Sequence, residues 1–222
     1  MIKQILCITY RDWALNLYKM LPHAFPEYNF KITFNTGRDG IDEDEIKTFQ
    51  PDIILLYGWS WIVAPHLIEQ YDCICLHPSP LPQYRGGSPL QNQIINGEKN
   101  SAVTIFKMSD EVDEGDIIRQ TPMSLSGNIE DIFSRMTTLG FSATCDFLKN
   151  GYNLKPQDHS LATVFKRRKP TDSEITLDEI QNQTREYLCN KIRMLTPPYP
   201  NAFIKDKCGK KLYITSSYID GN

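Results

Sequence analysis

Ile53-Ile54-Leu55-Leu56 is an unbroken apolar run between Asp52 and Tyr57. A strand with one face in water alternates polar and apolar side chains, so a strand without alternation must be covered on both faces. That is the habit of a parallel sheet sandwiched by helices, and it constrains the rest of the chain. Further short runs rich in β-branched and aromatic residues lie at 2–9, 28–35, 73–77, 103–108 and 117–123. Between them, 12–21, 42–49, 64–71, 86–96 and 128–149 space their apolar residues as helices do. Thr36-Gly37 reads as the turn after the second strand. Pro89 suits the first turn of its helix, while Gly140 weakens the longest helix and Gly151 ends it. The alternation predicts an α/β fold with a Rossmann-like, mostly parallel sheet over residues 1–160.

The remainder, 161–222, reads as a small α+β extension. A short strand at 162–165 leads into Lys166-Arg167-Arg168-Lys169-Pro170, the basic cluster of the chain. Thr176 with Glu179 three residues on forms a capping box for a helix running to about Leu195. A hairpin follows, pairing 203–205 with 211–216.

Composition excludes several classes. A formal charge of −3 and a pI near 5.8 argue against a general nucleic-acid binder, which needs a basic face. The longest apolar candidate, 52–63, is too short to span a membrane. The amino terminus opens as a strand and lacks the apolar core of a signal peptide, so a cytoplasmic protein is expected. The six cysteines are scattered without a C-x-x-C pair, so no metal site is expected.

Two stretches carry chemistry. The run at 73–77 ends in His77 and breaks into the rigid loop Pro78-Ser79-Pro80-Leu81-Pro82. The strand at 103–108 ends in an acidic loop with Asp110, Glu111, Asp113, Glu114 and Asp116. Ligands of open α/β sheets bind beyond the carboxyl ends of strands, which would put a histidine and an aspartate in one pocket. The first strand-helix turn, Thr9-Tyr10-Arg11-Asp12, has no glycine and is not a dinucleotide fingerprint. Arg11 reads as a solvated arginine, as does most of the basic cluster.

His77-Pro78-Ser79-Pro80-Leu81-Pro82-Gln83-Tyr84-Arg85-Gly86 resembles the H-P-S-L-L-P-x-Y-x-G run of the N10-formyltetrahydrofolate-dependent formyltransferases. Asp110-Glu111-Val112-Asp113-Glu114-Gly115 resembles their D-E-L-D-x-G loop. The resemblance implies a formyltransferase core with N10-formyltetrahydrofolate as cofactor, His77 as acid and base, and Asp113 as its partner. It also implies that Ser60, Trp61, Ile62 and Val63, with Glu111 and Val112, bind the cofactor. Tyr84, Arg85 and Gly86 are assigned to the substrate, Arg85 through phosphate contact.

One position departs from that pattern. The family has an asparagine two residues before the histidine, whose amide stabilises the oxyanion, and here Cys75 stands there. Alternation puts Cys75 on the same strand face as His77. Three substitutes stay open: His77 as imidazolium, backbone N–H groups near Gly86-Gly87, or Cys75 as a nucleophile. Direct amine attack needs no covalent step, which favours the first.

The tail also resembles the post-core segments of sugar-nucleotide N-formyltransferases and methionyl-tRNA formyltransferases. The acidic balance, and the absence after this point of the tRNA enzymes' β-barrel, turn the expectation to the sugar-nucleotide branch, pseudaminic-acid-pathway type. The expected acceptor is then the primary amine of a nucleotide-linked amino-deoxysugar, such as a UDP-4-amino-4,6-dideoxy-N-acetylhexosamine, feeding glycan biosynthesis. A homodimer and no nucleic-acid partner are expected with it. The alternatives are a methionyl-tRNA or other amine formyltransferase, and a non-catalytic folate- or nucleotide-binding relative.

Overall fold

The computed structural model describes residues 3–35 and 40–220, so the expected turn Thr36-Gly37 and the first residue of the expected strand at 2–9 lie outside the described residues. In chain order the core elements are β1 (Gln4–Thr9), α1 (Asp12–Ala24), β2 (Asn29–Phe34), α2 (Glu43–Phe49), β3 (Ile53–Tyr57), α3 (Pro65–Gln70) and β4 (Asp72–His77). Then come β5 (Arg85–Gly86), α4 (Pro89–Ile95), β6 (Asn100–Lys107), β7 (Ile117–Ser124) and α5 (Ile129–Asn150). Six strands form one sheet in the order β2-β1-β3-β4-β6-β7. The first four are mutually parallel, and β6 and β7 run antiparallel at the far edge.

The apolar run in β3 is covered on both faces, as its lack of alternation requires. Leu55 and Tyr57 face α1 and α5, together with Ile5, Cys7, Ile74 and Leu76. Ile54 and Leu56 face α2 and α3, with Leu6, Ile8 and Cys73. Asn128 caps α5: its side chain accepts from the Asp131 N–H, and the Asp131 carboxylate accepts from the Asn128 N–H. Gly140 is not merely a weak point in this helix. A Cβ there would lie 2.7 Å from Leu76 and 2.9 Å from Leu17, so the missing side chain lets α5 settle onto the sheet and α1. No helix among the described residues is long and apolar enough to cross a membrane.

Two sequence expectations need correction. The helix expected from residue 86 begins only at Pro89, because Arg85 and Gly86 instead pair with β8 (Val164–Phe165) as a two-stranded parallel ribbon. The helix expected from Thr176 to Leu195 is two helices, α6 (Leu177–Asn182) and α7 (Arg185–Arg193). Gln183 turns extended between them, and the Thr184 side chain starts α7 afresh by accepting from the Tyr187 N–H. The expected hairpin is present as β9 (Ala202–Lys205) against β10 (Lys211–Ile214). Ile175, Ile192, Met194, Leu195 and Ala202 join the apolar cluster of the α1/α5 face, so the tail is packed onto the core.

The tail is also pinned by a buried charge. Lys191 is 3% exposed and donates to both carboxylate oxygens of Glu179, at 2.6 and 2.8 Å, and to the Glu174 carbonyl. Burial alone would raise the Glu179 carboxyl, but hydrogen bonds from Lys191, the Thr176 N–H and Tyr187 outweigh it and hold the group below its usual range. Removing one partner of a buried pair strands the other. Glu179 keeps some solvent, so Lys191→Met is expected to cost about 2 kcal/mol near neutrality rather than the full buried-pair penalty. A carboxyl depressed in the folded state stabilises above the unfolded carboxylate range and loses that contribution as pH falls through its folded value. Denaturant melts should therefore show the gap between wild type and Lys191→Met narrowing below about pH 4.

Candidate active site

His77 is the last residue of β4 and pairs with Thr104 of β6. The loop after it contains three prolines, which offer carbonyls without N–H groups. Three carbonyls of this loop, one of them a proline's, are met by side chains. Gln93 donates to Pro78, Thr104 to Ser79, and Gln120 to Leu81, at 2.8, 2.6 and 2.9 Å. Gln93 and Thr104 are buried in elements otherwise read as apolar, Gln120 reaches in from an exposed position on β7, and no periodic pattern marks their role.

The fixed loop brings the Tyr84 carbonyl to 2.8 Å from His77 Nε2. A carbonyl only accepts, so Nε2 carries a hydrogen and Nδ1 is the nitrogen free to exchange a proton. Asp113 Oδ2 lies 3.4 Å from Nδ1 and accepts from the Gly86 N–H at 2.8 Å. Asp113 itself sits at φ +57°, in the left-handed region. The turn closes because Gly115 presses on β6: a Cβ there would lie 1.7 Å from the Lys107 carbonyl oxygen. Gly86 is equally constrained, since a Cβ would lie 2.4 Å from the Phe165 carbonyl oxygen.

A cavity of about 500 Å³ opens beside this pair, within the range of small-molecule sites. It lies at the carboxyl ends of β1, β3 and β4. His77, Asp113, Cys75, Gly86, Ser60, Trp61, Ile62, Val63, Glu111 and Val112 all line it. Ile62 and Val112 stand at its rim, 85% and 57% exposed, whereas Val63 is buried in the wall. The Ser60 carbonyl accepts from Arg167 at 3.0 Å, and its hydroxyl bonds Tyr10.

Tyr84 and Arg85 do not line the cavity. The Tyr84 ring stacks on Phe165 at 4.8 Å and its hydroxyl donates to Glu98 at 3.0 Å. Arg85 is 2% exposed, with Nη1 at 2.7 Å from Glu114 and two nitrogens on the Gln157 carbonyl oxygen. Its guanidinium is fully engaged inside the protein, away from any phosphate in the cavity.

Arg11 and two residues of the basic cluster reach the cavity, while Lys166 and Lys169 are solvated as the sequence suggests. Arg11, Arg167 and Arg168 line the cavity together. The Arg11 guanidinium lies 4.5 Å from the Tyr10 ring centre and 5.6 Å from that of Tyr199. Sequence reasoning passed over Tyr199, Gln91, Phe133 and Met136, which complete the wall from α4, α5 and the tail. Gln91, Phe133 and Met136 look like any other positions of their helices, and only the docking of the tail brings Tyr199 to the cavity.

Of the three possible substitutes for an oxyanion donor, the backbone N–H groups are already engaged. The Gly86 N–H is committed to Asp113, and the Gly87 N–H to the Phe165 carbonyl at 2.8 Å. Neither is free for an oxyanion. Cys75 shares the cavity face with His77, but its Sγ is 3.3 Å from the Leu56 carbonyl. Burial pushes its thiol far up, and the Asp113 carboxylate pushes the same way. A thiol held neutral is a poor nucleophile. His77 is the remaining donor of the three. Iodoacetamide under native conditions near neutral pH is expected to alkylate exposed Cys208 and spare Cys75, with peptide mass spectrometry as the readout. Comparable rates at the two sites would reveal a Cys75 thiolate.

Comparison with known proteins places these features. The model of the family described as Formyl transferase matches residues 23–138, just over half of the chain. A methionyl-tRNA formyltransferase of Ehrlichia ruminantium (strain Welgevonden) is 35% identical over 82% of this chain and 59% of its own length. One from Ehrlichia canis (strain Jake) is 32% identical over 93% of this chain and 68% of its own. The chain thus spans about three fifths of the length of the first curated relatives it matches. The solved structure of a methionyl-tRNA formyltransferase from Clostridium thermocellum superposes with a TM-score of 0.83 at 31% identity, covering 96% of this chain and 97% of that one.

These likenesses overturn the sugar-nucleotide branch, and with it the nucleotide-linked amino sugar, the glycan pathway and the exclusion of nucleic acid. Net charge is a poor guide to this cavity. A net value of −3 describes the whole surface, whereas three arginines converge on one cavity.

Proposed function

Because this chain belongs to the formyl transferase family, we propose that it transfers the formyl group of N10-formyltetrahydrofolate to the free amino group of methionyl-tRNA. The observation that carries the chemistry is the juxtaposition of His77 Nδ1 and the Asp113 carboxylate at 3.4 Å on the wall of the cavity. The likeness to methionyl-tRNA formyltransferases supports the acceptor, and so do the arginines lining the cavity, since phosphodiesters are met by such cations. The cavity suits a heteroaromatic donor. Trp61, Val63, Phe106 and Met108 supply apolar walls, and Trp59 Nε1 is a buried N–H with no protein partner. When bound, the folate supplies an activated formyl carbonyl. We place the reaction in the cytoplasm, where charged tRNA is found.

The residues then divide the work. The attacking amine must shed a proton, and His77 Nδ1 is the ring nitrogen uncommitted to the backbone. Asp113 stabilises the ring while it carries the second proton, His77 returns that proton to the N10 nitrogen as the bond between N10 and the formyl carbon breaks, and the Tyr84 carbonyl holds the ring's orientation throughout. The Nδ1–H of that charged ring is the donor His77 offers to negative charge developing on the carbonyl oxygen.

Turnover should be measured as formyl transfer to methionyl-tRNA with N10-formyltetrahydrofolate as donor. His77→Ala is expected to lose about 10²- to 10⁴-fold in kcat, and Asp113→Asn a substantial part of that, with little change in the donor's KM. Undiminished turnover in His77→Ala would refute the role of the imidazole. Formylation of small amines but not of methionyl-tRNA would refute the acceptor.

A further inference from the structure

Arg85 is the largest of the fully buried side chains, and the reaction outlined above makes no use of it. An arginine is rarely taken out of water unless every donor is placed. Here the placements have a direction. Arginine only donates, so the side-chain amide of Gln157 must turn its oxygen towards Arg85, which receives Nε at 3.1 Å and Nη2 at 2.8 Å. The amide nitrogen is thereby forced to the opposite side. There it donates to the carbonyls of Asp113 at 2.9 Å and Gly115 at 2.7 Å. The third Arg85 nitrogen takes the carboxylate of the residue between them, Glu114, at 2.7 Å. Three consecutive residues of the acidic loop thus hang from one guanidinium, two through a polarised amide and one directly.

The supports on either side are independent of the site. The Gln157 segment is fixed by a reciprocal backbone bridge between Lys155 and Ile117, at 2.8 and 2.9 Å. Arg85 is fixed by its N–H on the Thr163 carbonyl at 2.8 Å. What they suspend is Asp113, held at φ +57° and aimed at His77.

We infer that Arg85, acting through Gln157 and Glu114, is a positioning residue that sets the Asp113 carboxylate against His77. This rests on the His77–Asp113 assignment made above. It differs from a general stabilising role, because it requires the donor polarity of Gln157 and not merely a filled interior.

Gln157→Glu separates the two. It leaves an acceptor for Arg85 but removes the donor that holds the carbonyls of Asp113 and Gly115. Turnover is expected to fall about 100-fold, the scale of a displacement near 1 Å, with both KM values within about threefold. Arg85→Lys keeps the charge and loses the fork, so it is expected to fall with Gln157→Glu and not to rescue. Lys191→Met, which weakens the fold elsewhere, is expected to keep turnover. The ring ¹⁵N signals of His77, assigned against His77→Gln among the chain's four histidines, should move in Gln157→Glu and stay in Lys191→Met.

Wild-type turnover in Gln157→Glu overturns the inference, and so does a raised KM at unchanged kcat. Should Gln157→Glu not fold, Gln157→Met, similar in length and donating nothing, is judged by the same criteria. If the wild-type chain formylates no amine, the functional reading fails, and the His77 signals alone decide on Arg85: movement supports it and constancy refutes it.

Discussion

The structure around the cavity depends on one close approach, the acidic loop folding back against the edge of β6. Gly115 lies against the Lys107 carbonyl with no room for a Cβ, and Lys107 in turn donates its N–H to Asp116 at 2.9 Å. Without that contact Asp113 would be an exposed residue of an acidic turn, as its composition suggests. With it, the carboxylate is carried across to the end of β4, three strand ends share a wall, and a histidine that terminates an apolar strand acquires a charged neighbour. Local hydrogen bonding does the rest: the Gly86 N–H on one side and Gln157 on the other fix the carboxylate and its backbone separately.

How far the sequence could be read follows from the range of each interaction. The sheet was legible because burial on both faces of β3 leaves a mark within five residues. The pairing of His77 with Asp113 was legible through the family resemblance that spans both loops, not through strand ends: β6 runs antiparallel to β4, so its carboxyl end lies at the opposite edge and the acidic loop has to fold back to reach His77. The break between α6 and α7 was missed because Thr184, a good cap, looks like any polar residue inside an amphipathic stretch. Arg85 was misassigned for a different reason. Its partners, Glu114 and Gln157, lie 29 and 72 residues away, and nothing near Arg85 distinguishes a phosphate-binding arginine from a suspended one.

Charge was the most misleading quantity. The acidic excess is distributed over helices and loops, among them the first turn of α2, where Glu43, Asp44 and Glu45 also favour the helix amino terminus. The arginines come from two distant places, the end of β1 and the segment after β8, and meet only once the tail has docked. Electrostatic recognition is decided within about a Debye length, some 8–10 Å, so a local cluster outweighs a small opposite net charge.

The cysteine at position 75 makes the histidine's placement more consequential. Where an amide would stand as oxyanion donor, this chain has a buried thiol directed at the Leu56 carbonyl, and the nearest backbone N–H groups are spent on Asp113 and Phe165. Losing one such donor costs on the order of 2.7–4 kcal/mol in the transition state. In the reaction we propose, a single imidazole serves both the amine proton and the developing oxyanion from Nδ1, because Nε2 is held by Tyr84. A group with two duties at one atom tolerates little displacement of its counter-ion. The burial of a complete guanidinium behind Asp113, costly in desolvation and otherwise without use in the cavity, is intelligible as the means of limiting that displacement.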